Sequence, residues 1–207
     1  MQEAISTIAL SMGIAWASGI NLYAAVVVLG LLGAGGYMVL PETLQVLQNP
    51  VVIGASVIMY FVEFFADKVP VVDNAWDTVH TFIRIPAGAV LAASAVGDVD
   101  PSLIMAAALV GGTITAGTHL TKASSRLMVN TSPEPFSNIG VSLVEDVVVV
   151  AGVWTALFHP AIFMFFLISF ILLMIWLLPI LGRAVKNIFE TLQKMFKPDR
   201  DKSLPEA

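Results

Sequence analysis

Glu63 and Asp67 stand four residues apart, on one face of any helix that holds them, and Lys68 follows directly. Asp73, Asp77, His80 and Arg84 come next. At about 100° per residue they fall within about 60° of one another, a second stripe of acid, acid, imidazole and guanidinium. Such a stripe can relay protons or hold a cation. The competing reading is a solvated face, with Asp73 as an N-cap and Arg84 as an anchor whose stem snorkels back to water. Further on, His119, Lys122 and Arg126 lie at i, i+3 and i+7, and Glu145-Asp146 precedes four valines. Adjacent residues point about 100° apart, so Glu145 and Asp146 serve different partners. Glu145, whose context parallels that of Glu63, is the one expected at the site.

The chemistry open to this set is charge coupling. Six carboxylates (Glu63, Asp67, Asp73, Asp77, Glu145, Asp146) stand against four fixed cations (Lys68, Arg84, Lys122, Arg126), which favours a proton or metal cation as partner. Lys122 is expected to pair with Glu63 or Glu145. Carboxyl groups held out of water and histidines both exchange protons near neutral pH. Asn21, beside Ser18 and Tyr23, is a candidate polar ligand, or an asparagine that hydrogen-bonds a neighbouring helix. There is no cysteine, no GxSxG, no HExxH and no Walker loop, and the three histidines lie far apart. No cofactor or dedicated metal site is expected. Hydrolysis by two facing carboxylates such as Glu63 and Glu145 stays open. The acids are scattered and no basic patch carries interleaved aromatics, which argues against nucleic acid as a ligand.

These groups need apolar elements to position them. Only 12% of the 207 residues are charged, against roughly 25% in an average soluble domain, and 57% are hydrophobic. Ala4 to Tyr37 has no ionisable group but Tyr23 and Tyr37, and Ala161 to Leu181 is apolar apart from Ser169. Either stretch suffices for a bilayer core that needs about 20 apolar residues. The expected fold is an all-α, polytopic membrane protein with about six transmembrane helices, at residues 5–33, 50–68, 73–97, 102–125, 138–158 and 161–182, and an amphipathic tail helix at 184–196. Residues 1–182 form one transmembrane domain, and 183–207 a cytoplasmic helix and disordered tail. Glu63 then lies inside the membrane, where a central charge costs about 2.5–3.5 kcal/mol and so faces an interior, pairs, or binds something.

Breaks and connections refine this picture. Ala17-Ser18-Gly19 interrupts the first span and Ala116-Gly117 the fourth, so both are expected as kinked helices or half-helices, lining protein or water. Pro86 divides the third into a polar and an apolar half, either one span or an interfacial helix plus a re-entrant piece. Pro41, Asn49-Pro50, Gly97 to Pro101, Ser132-Pro133-Glu134-Pro135 and His159-Pro160 punctuate the connections, and Ser137 or Asn138 is a natural N-cap. Small residues from Ala106 to Gly112 signal close helix packing. Met1-Gln2-Glu3 lacks the positive start of a cleaved signal peptide, so the first span is expected to be retained. All ten Lys and Arg residues border connections two and four or follow the last span, which puts both termini in the cytoplasm if six spans are formed. Met12–Leu29 set against Val110–Leu127 aligns Gly13 with Gly111, Gly19 with Gly117 and Asn21 with His119. That match, which glycine- and alanine-rich sequence also produces by chance, predicts an inverted three-plus-three repeat over 4–97 and 102–182.

Ser18-Gly19-Ile20-Asn21-Leu22-Tyr23, the block from Glu63 to Arg84, and Ser132 to Asn138 together resemble a family of small bacterial membrane proteins, domain of unknown function 4126. The likeness covers nearly the whole chain up to about Leu181, and the Glu63–Arg84 block is its most specific part. It implies a bacterial inner-membrane protein and brings no activity. The function expected is a transporter or permease coupled to a proton or cation through Glu63, Asp67 and Glu145, with His119, Lys122 and Asn21 nearby and Asp73, Asp77, His80 and Arg84 as a secondary stripe. Its partners are membrane lipid, a proton or cation, and a small solute or lipid; a homo-oligomer is compatible with the sequence. The alternatives are a channel or a lipid flippase or scramblase, an intramembrane enzyme, and a structural subunit whose charges lock helices together.

Overall fold

A computed structural model describes residues 2–130 and 135–196. They form six α-helices, α1 (Gln2–Ala34), α2 (Pro50–Ala66), α3 (Pro70–Ala95), α4 (Pro101–Asn130), α5 (Pro135–Phe158) and α6 (Pro160–Phe196), with a short 3-10 helix at Glu42–Gln48 and no strand among the described residues. Each helix after the first opens on proline, whose fixed φ suits the first turn and whose missing N–H would go unbonded there anyway. Asn49 completes one such start, its side chain accepting from the Val51 N–H at 2.8 Å. The turn into α4 needs a left-handed residue, supplied by Gly97 at φ 73°. Asp100 then caps α4 through the Ser102 N–H (2.8 Å), and these bonds hold its carboxyl below the usual aspartate range.

Four helices, α1, α4, α5 and α6, are long and apolar enough to cross a membrane, and a fifth span arises if the 3-10 helix and α2, bent by 66°, count together. The bundle is apolar outside and charged inside. Phe165, Phe166, Leu172, Ile175 and Trp176 on α6 are exposed, whereas Glu63, Asp73, Arg84, His119 and Arg126 are fully buried. This inverts the arrangement that water selects and matches what lipid selects.

α1 is the centre of the bundle and touches all five other helices. It is two half-helices joined at Asn21, which is extended (φ −147°, ψ 99°). Before the break, Ser11 donates to the Ala92 carbonyl at 2.7 Å, and Ser6 and Leu10 lie with Leu40, Ala95 and Leu157. After it, Gly30 sits so close to the Leu47 carbonyl that a Cβ would come within 2.5 Å, and Gly33 packs on Gln48 and Leu40. Both ends of α1 therefore lie at the end of the bundle that holds the α3–α4 turn, and Asn21 is the tip of a V pointing inward. Val185 of α6 lies at the other end, with Asn74 and Ser124.

Four expectations need correction. The break in α1 falls at Asn21, not at Ala17-Ser18-Gly19; Gly19 serves the crossing with α4, where a Cβ would lie 2.7 Å from the Thr115 carbonyl. α4 is unbroken at Ala116-Gly117, since Gly117 makes room for the Met174 thioether. The last span and the tail helix are one helix, α6, running through Pro179 to Phe196. Ser137 and Asn138 lie inside α5, which starts at Pro135, so neither caps it. α3 continues through Pro86 as one helix. The motif residues Ser132, Pro133 and Glu134, and the tail from 197, which includes Lys197, Arg200 and Lys202, lie outside the described residues.

Candidate functional site

Three residues of one face of α4 organise the site. His119, Lys122 and Arg126 project from α4 over about 10 Å of axis and meet the acids of α2, α3 and α5 in successive ranks. At the deepest rank, Arg84 of α3 forms an ion pair with Glu63 Oε1 of α2 and reaches Asp77 Oδ1 at 3.4 Å. In the middle rank, Lys122 Nζ lies 3.3 Å from Glu63 Oε1, 3.3 Å from Asp67 Oδ2 and 3.6 Å from Glu145 Oε2. In the last, Arg126 Nε is 3.2 Å from Asp73 Oδ2, and its Nη atoms donate to the carbonyls of Asp67 and Asn138. Asn138 Nδ2 also donates to the Asp67 carbonyl (3.0 Å), so the end of α2, which helical bonding leaves open, is closed by α4 and α5.

The tip of α1 enters this ladder. In a continuous helix the Ala24 N–H would go to the Ile20 carbonyl; here it donates to Asn21 Oδ1 at 2.9 Å. The Ile20 carbonyl accepts from Lys122 Nζ at 3.0 Å. Asn21 Nδ2 donates to Asp146 Oδ1 at 3.2 Å. One asparagine thus starts the second half-helix, frees a carbonyl for the central lysine, and holds an acid of α5. A half-helix C-terminus facing an ammonium is the favourable sense of the helix dipole.

Hydrogen-bond roles fix His119 and one nitrogen of His80. A guanidinium only donates, so His119 Nδ1, 3.2 Å from Arg84 Nη1, is the acceptor. The proton is then on Nε2, which donates to Thr81 Oγ1 at 2.8 Å. His80 Nδ1 donates to the Trp76 carbonyl (2.9 Å), and its Nε2 is hydrogen-bonded to the Tyr23 hydroxyl at 3.1 Å. The His119 ring is therefore neutral, and His80 stacks on Trp76 to the side of the ladder.

All the expected residues but one meet in this network. Glu63, Asp67, His119, Lys122 and Glu145 are neighbours, Asn21 joins them at the tip of α1, and Asp73, Asp77 and Arg84 complete the ranks; His80 stands apart. The solvated-face reading of the stripe is overturned. Asp73 is no N-cap, Val69 holding that place, and Arg84 is fully buried rather than snorkelling. Their stripe faces α4, whose cations attract it. Lys68 makes no ion pair: its Nζ donates to the Phe64 carbonyl at 2.8 Å and sits 3.0 Å above the Phe64 ring, and it acts on Asp146 and Asp67 only from farther away. Six acids therefore stand against three cations in direct contact and a fourth at longer range. Glu63 Oε2, Asp67 Oδ1 and Asp77 Oδ2 are buried without a hydrogen-bond donor. Partners that the spacing did not single out are Thr81, Asn130, whose Nδ2 donates to Asp73 Oδ2 at 2.6 Å, and Asn138. Asn130 follows Arg126 by one turn, a signal that could have found it.

Two chemistries lose ground. Among the described residues, no group of three or more His, Asp or Glu side chains is arranged to hold a metal ion. Glu63 and Glu145 do not form a proton-sharing acid pair, since the Lys122 ammonium stands between them.

A model of one known family matches residues 8–179, every member of the ladder included. The chain belongs to that family, described as Domain of unknown function (DUF4126). The DUF4126 match thus spans all of α2 to α5, the tip of α1 and most of α6. No curated protein and no solved structure matches the chain.

Proposed function

We propose that the protein is a small multi-pass transporter of the bacterial cytoplasmic membrane that couples a solute to protons through the carboxylates around the tip of α1. The excess of acid carries this reading. Five carboxylates, Glu63, Asp67, Asp73, Asp77 and Glu145, share three cations in one interior wrapped in apolar surface. Full ionisation would leave two negative charges uncompensated where even one costs several kcal/mol, so the ladder holds protons at rest. Lys122 has acids of two helices at 3.3 to 3.6 Å and can favour either as protons come and go. A groove of about 250 Å³ beside Asn74, Thr78 and Ser124 leads to Asp77 and gives protons a route from one end of the bundle.

In this reading α2 to α6 cross the membrane and α1 is re-entrant, five crossings in place of six. Broken helices that meet charged groups near the midplane are a recurrent way to build a transport site. The α1–α4 sequence match then pairs a broken helix with an unbroken one and is not an inverted repeat. Lys68, Arg183 and Lys186 mark the cytoplasmic end, whereas Glu3, Glu42, Asp98 and Asp100 mark the other. The start of α1 therefore faces away from the cytoplasm, in contrast to the expectation of two cytoplasmic termini.

The test is Glu63→Gln. Arg84 keeps Asp77, and Lys122 keeps Asp67 and Glu145, so the variant is expected to fold. In sealed vesicles with an entrapped pH dye, wild-type protein is expected to move protons when its solute is added from a panel of small cations and neutral solutes, and Glu63→Gln to move none. A solute carried equally well by the variant contradicts the coupling. The complete burial of Glu63 and Arg84 favours a second reading, a purely structural lock, in which the substitution changes the melting temperature and no flux.

A further inference from the structure

α5 carries its two acids to different places. Glu145 turns inward to Lys122 and Arg126, while Asp146 stands at the head of an open groove of about 720 Å³ on the apolar outer side of the bundle. Tyr60 of α2 forms one wall. Val147, Val150, Ala151 and Trp154 of α5 form the floor, spaced so that Asp146, Val150 and Trp154 recur every four residues on one face. From Asp146 to Trp154 the groove runs about 12 Å, by the rise of about 1.5 Å per residue.

Asp146 differs from the other five acids in having no cation in direct contact. Each of the others has an Arg or Lys nitrogen within 4.0 Å; among the described residues Asp146 has none, its hydrogen-bond partners are the Tyr60 hydroxyl and the Asn21 amide, and Lys68 and Lys122 act on it only from farther away. A half-buried carboxylate with no ion-pair partner, on an apolar trough, is complementary to a positive charge on an apolar stem. The aromatic faces of Tyr60 and Trp154 suit the same ligand, since ring quadrupoles attract cations and their edges pack on alkyl chains.

We infer that the groove between Tyr60 and α5 binds a monovalent lipophilic ammonium, with its charged nitrogen on Asp146 and an apolar chain of about 12 Å along Val150 towards Trp154. A phospholipid headgroup is the less complementary occupant. Its phosphate would enter a region that already holds more acids than cations, and Asp146 lies midway along α5, eleven residues from Pro135, far from where headgroups lie. The inference names a substrate class for the proposed transporter and rests on that reading for its meaning in transport, but the binding itself needs no gradient. Asp146 touches the tip of α1 through Asn21, which gives a bound cation a direct connection to the break beside Lys122.

The test uses the full chain in phosphatidylcholine nanodiscs, with labelled octyltrimethylammonium as probe and empty discs as background. Saturable binding of one probe per chain is expected. Asp146→Asn, which preserves the acceptor for Asn21, should weaken binding at least tenfold. Ala151→Phe, which fills the trough and leaves the acid in place, should do the same, and matching melting curves for the three proteins show that both variants fold. Octanol and octanoate should fail to compete. Binding that survives Asp146→Asn, or that octanol displaces equally well, overturns the inference; displacement by phosphatidylethanolamine in the disc overturns the occupant in favour of a lipid headgroup. If the probe binds as described while Glu63→Gln leaves proton movement intact, the site stands and the coupled-transport reading falls. If the probe fails to bind while Glu63→Gln abolishes proton movement, the transporter stands with a different substrate.

Discussion

Lys122 holds more of the site together than any other side chain. Its ammonium faces oxygens from α1, α2 and α5, and its removal leaves Glu63, Asp67 and Glu145 sharing what attraction Arg84 and Arg126 can supply. Breaking a buried ion pair from one side typically costs about 3–5 kcal/mol. Lys122→Met is expected to destabilise the protein by that order in denaturant titrations in detergent, and the double variant with Glu63→Gln by less than the sum of the two, because they share one interaction. A loss below about 0.5 kcal/mol, the size of an ordinary surface change, would remove Lys122 from the centre of the account. Much of this was legible in the chain. The i, i+4 spacing of Glu63 and Asp67 and the i, i+3, i+7 spacing of His119, Lys122 and Arg126 require shared faces whatever the fold. The direction of the Asp73–Arg84 stripe was not legible, because the periodicity of a solvated face and of a buried charged face is the same. Asn138 was read as a cap for the same kind of reason. Asparagine amides serve local carbonyls and distant ones equally well, and only the fold decides between them.

Helices that cross or turn back are distinguished by a single residue. Asn21 can leave the helical region because its own side chain replaces the lost backbone bond at Ala24 and a lysine replaces the lost donor at Ile20. The sequence showed weak helix formers near this point, but glycine and serine are also what close helix crossings require, and Gly19 and Gly117 are both used in that way. Nothing in the composition of α1 separates a long straight span from two short arms; its 33 residues pass as one membrane helix. The V shape makes a sharp prediction. The chain has no cysteine, so Glu3→Cys, Gln45→Cys and Lys186→Cys each give a single thiol for a membrane-impermeant reagent. In intact cells or sealed vesicles, the thiols at 3, in the first turn of α1, and at 45, in the 3-10 helix that follows its second arm, should react from one side, and the thiol at 186 from the other. Reaction of 3 and 45 from opposite sides would show that α1 crosses the membrane.

For the whole molecule, the decisive property is the imbalance between charge and environment. An apolar shell, a central broken helix and a ladder with more acids than cations were each foreshadowed by the composition, by the interruption near Gly19 and by the count of ionisable residues. What the count could not show was that Lys68 turns to its own helix and stays out of the ion pairs. Protons are the counter-charge that costs least in such an interior, and their presence on carboxyl groups is directly observable. The measurement is the infrared spectrum of the reconstituted protein at neutral pH, in the region of the protonated carboxyl stretch. A protonated-carboxyl band that shifts in heavy water and shrinks in Glu63→Gln is the predicted result; a spectrum in which every carboxyl group is ionised, in wild type and variant alike, would contradict a proton-holding ladder.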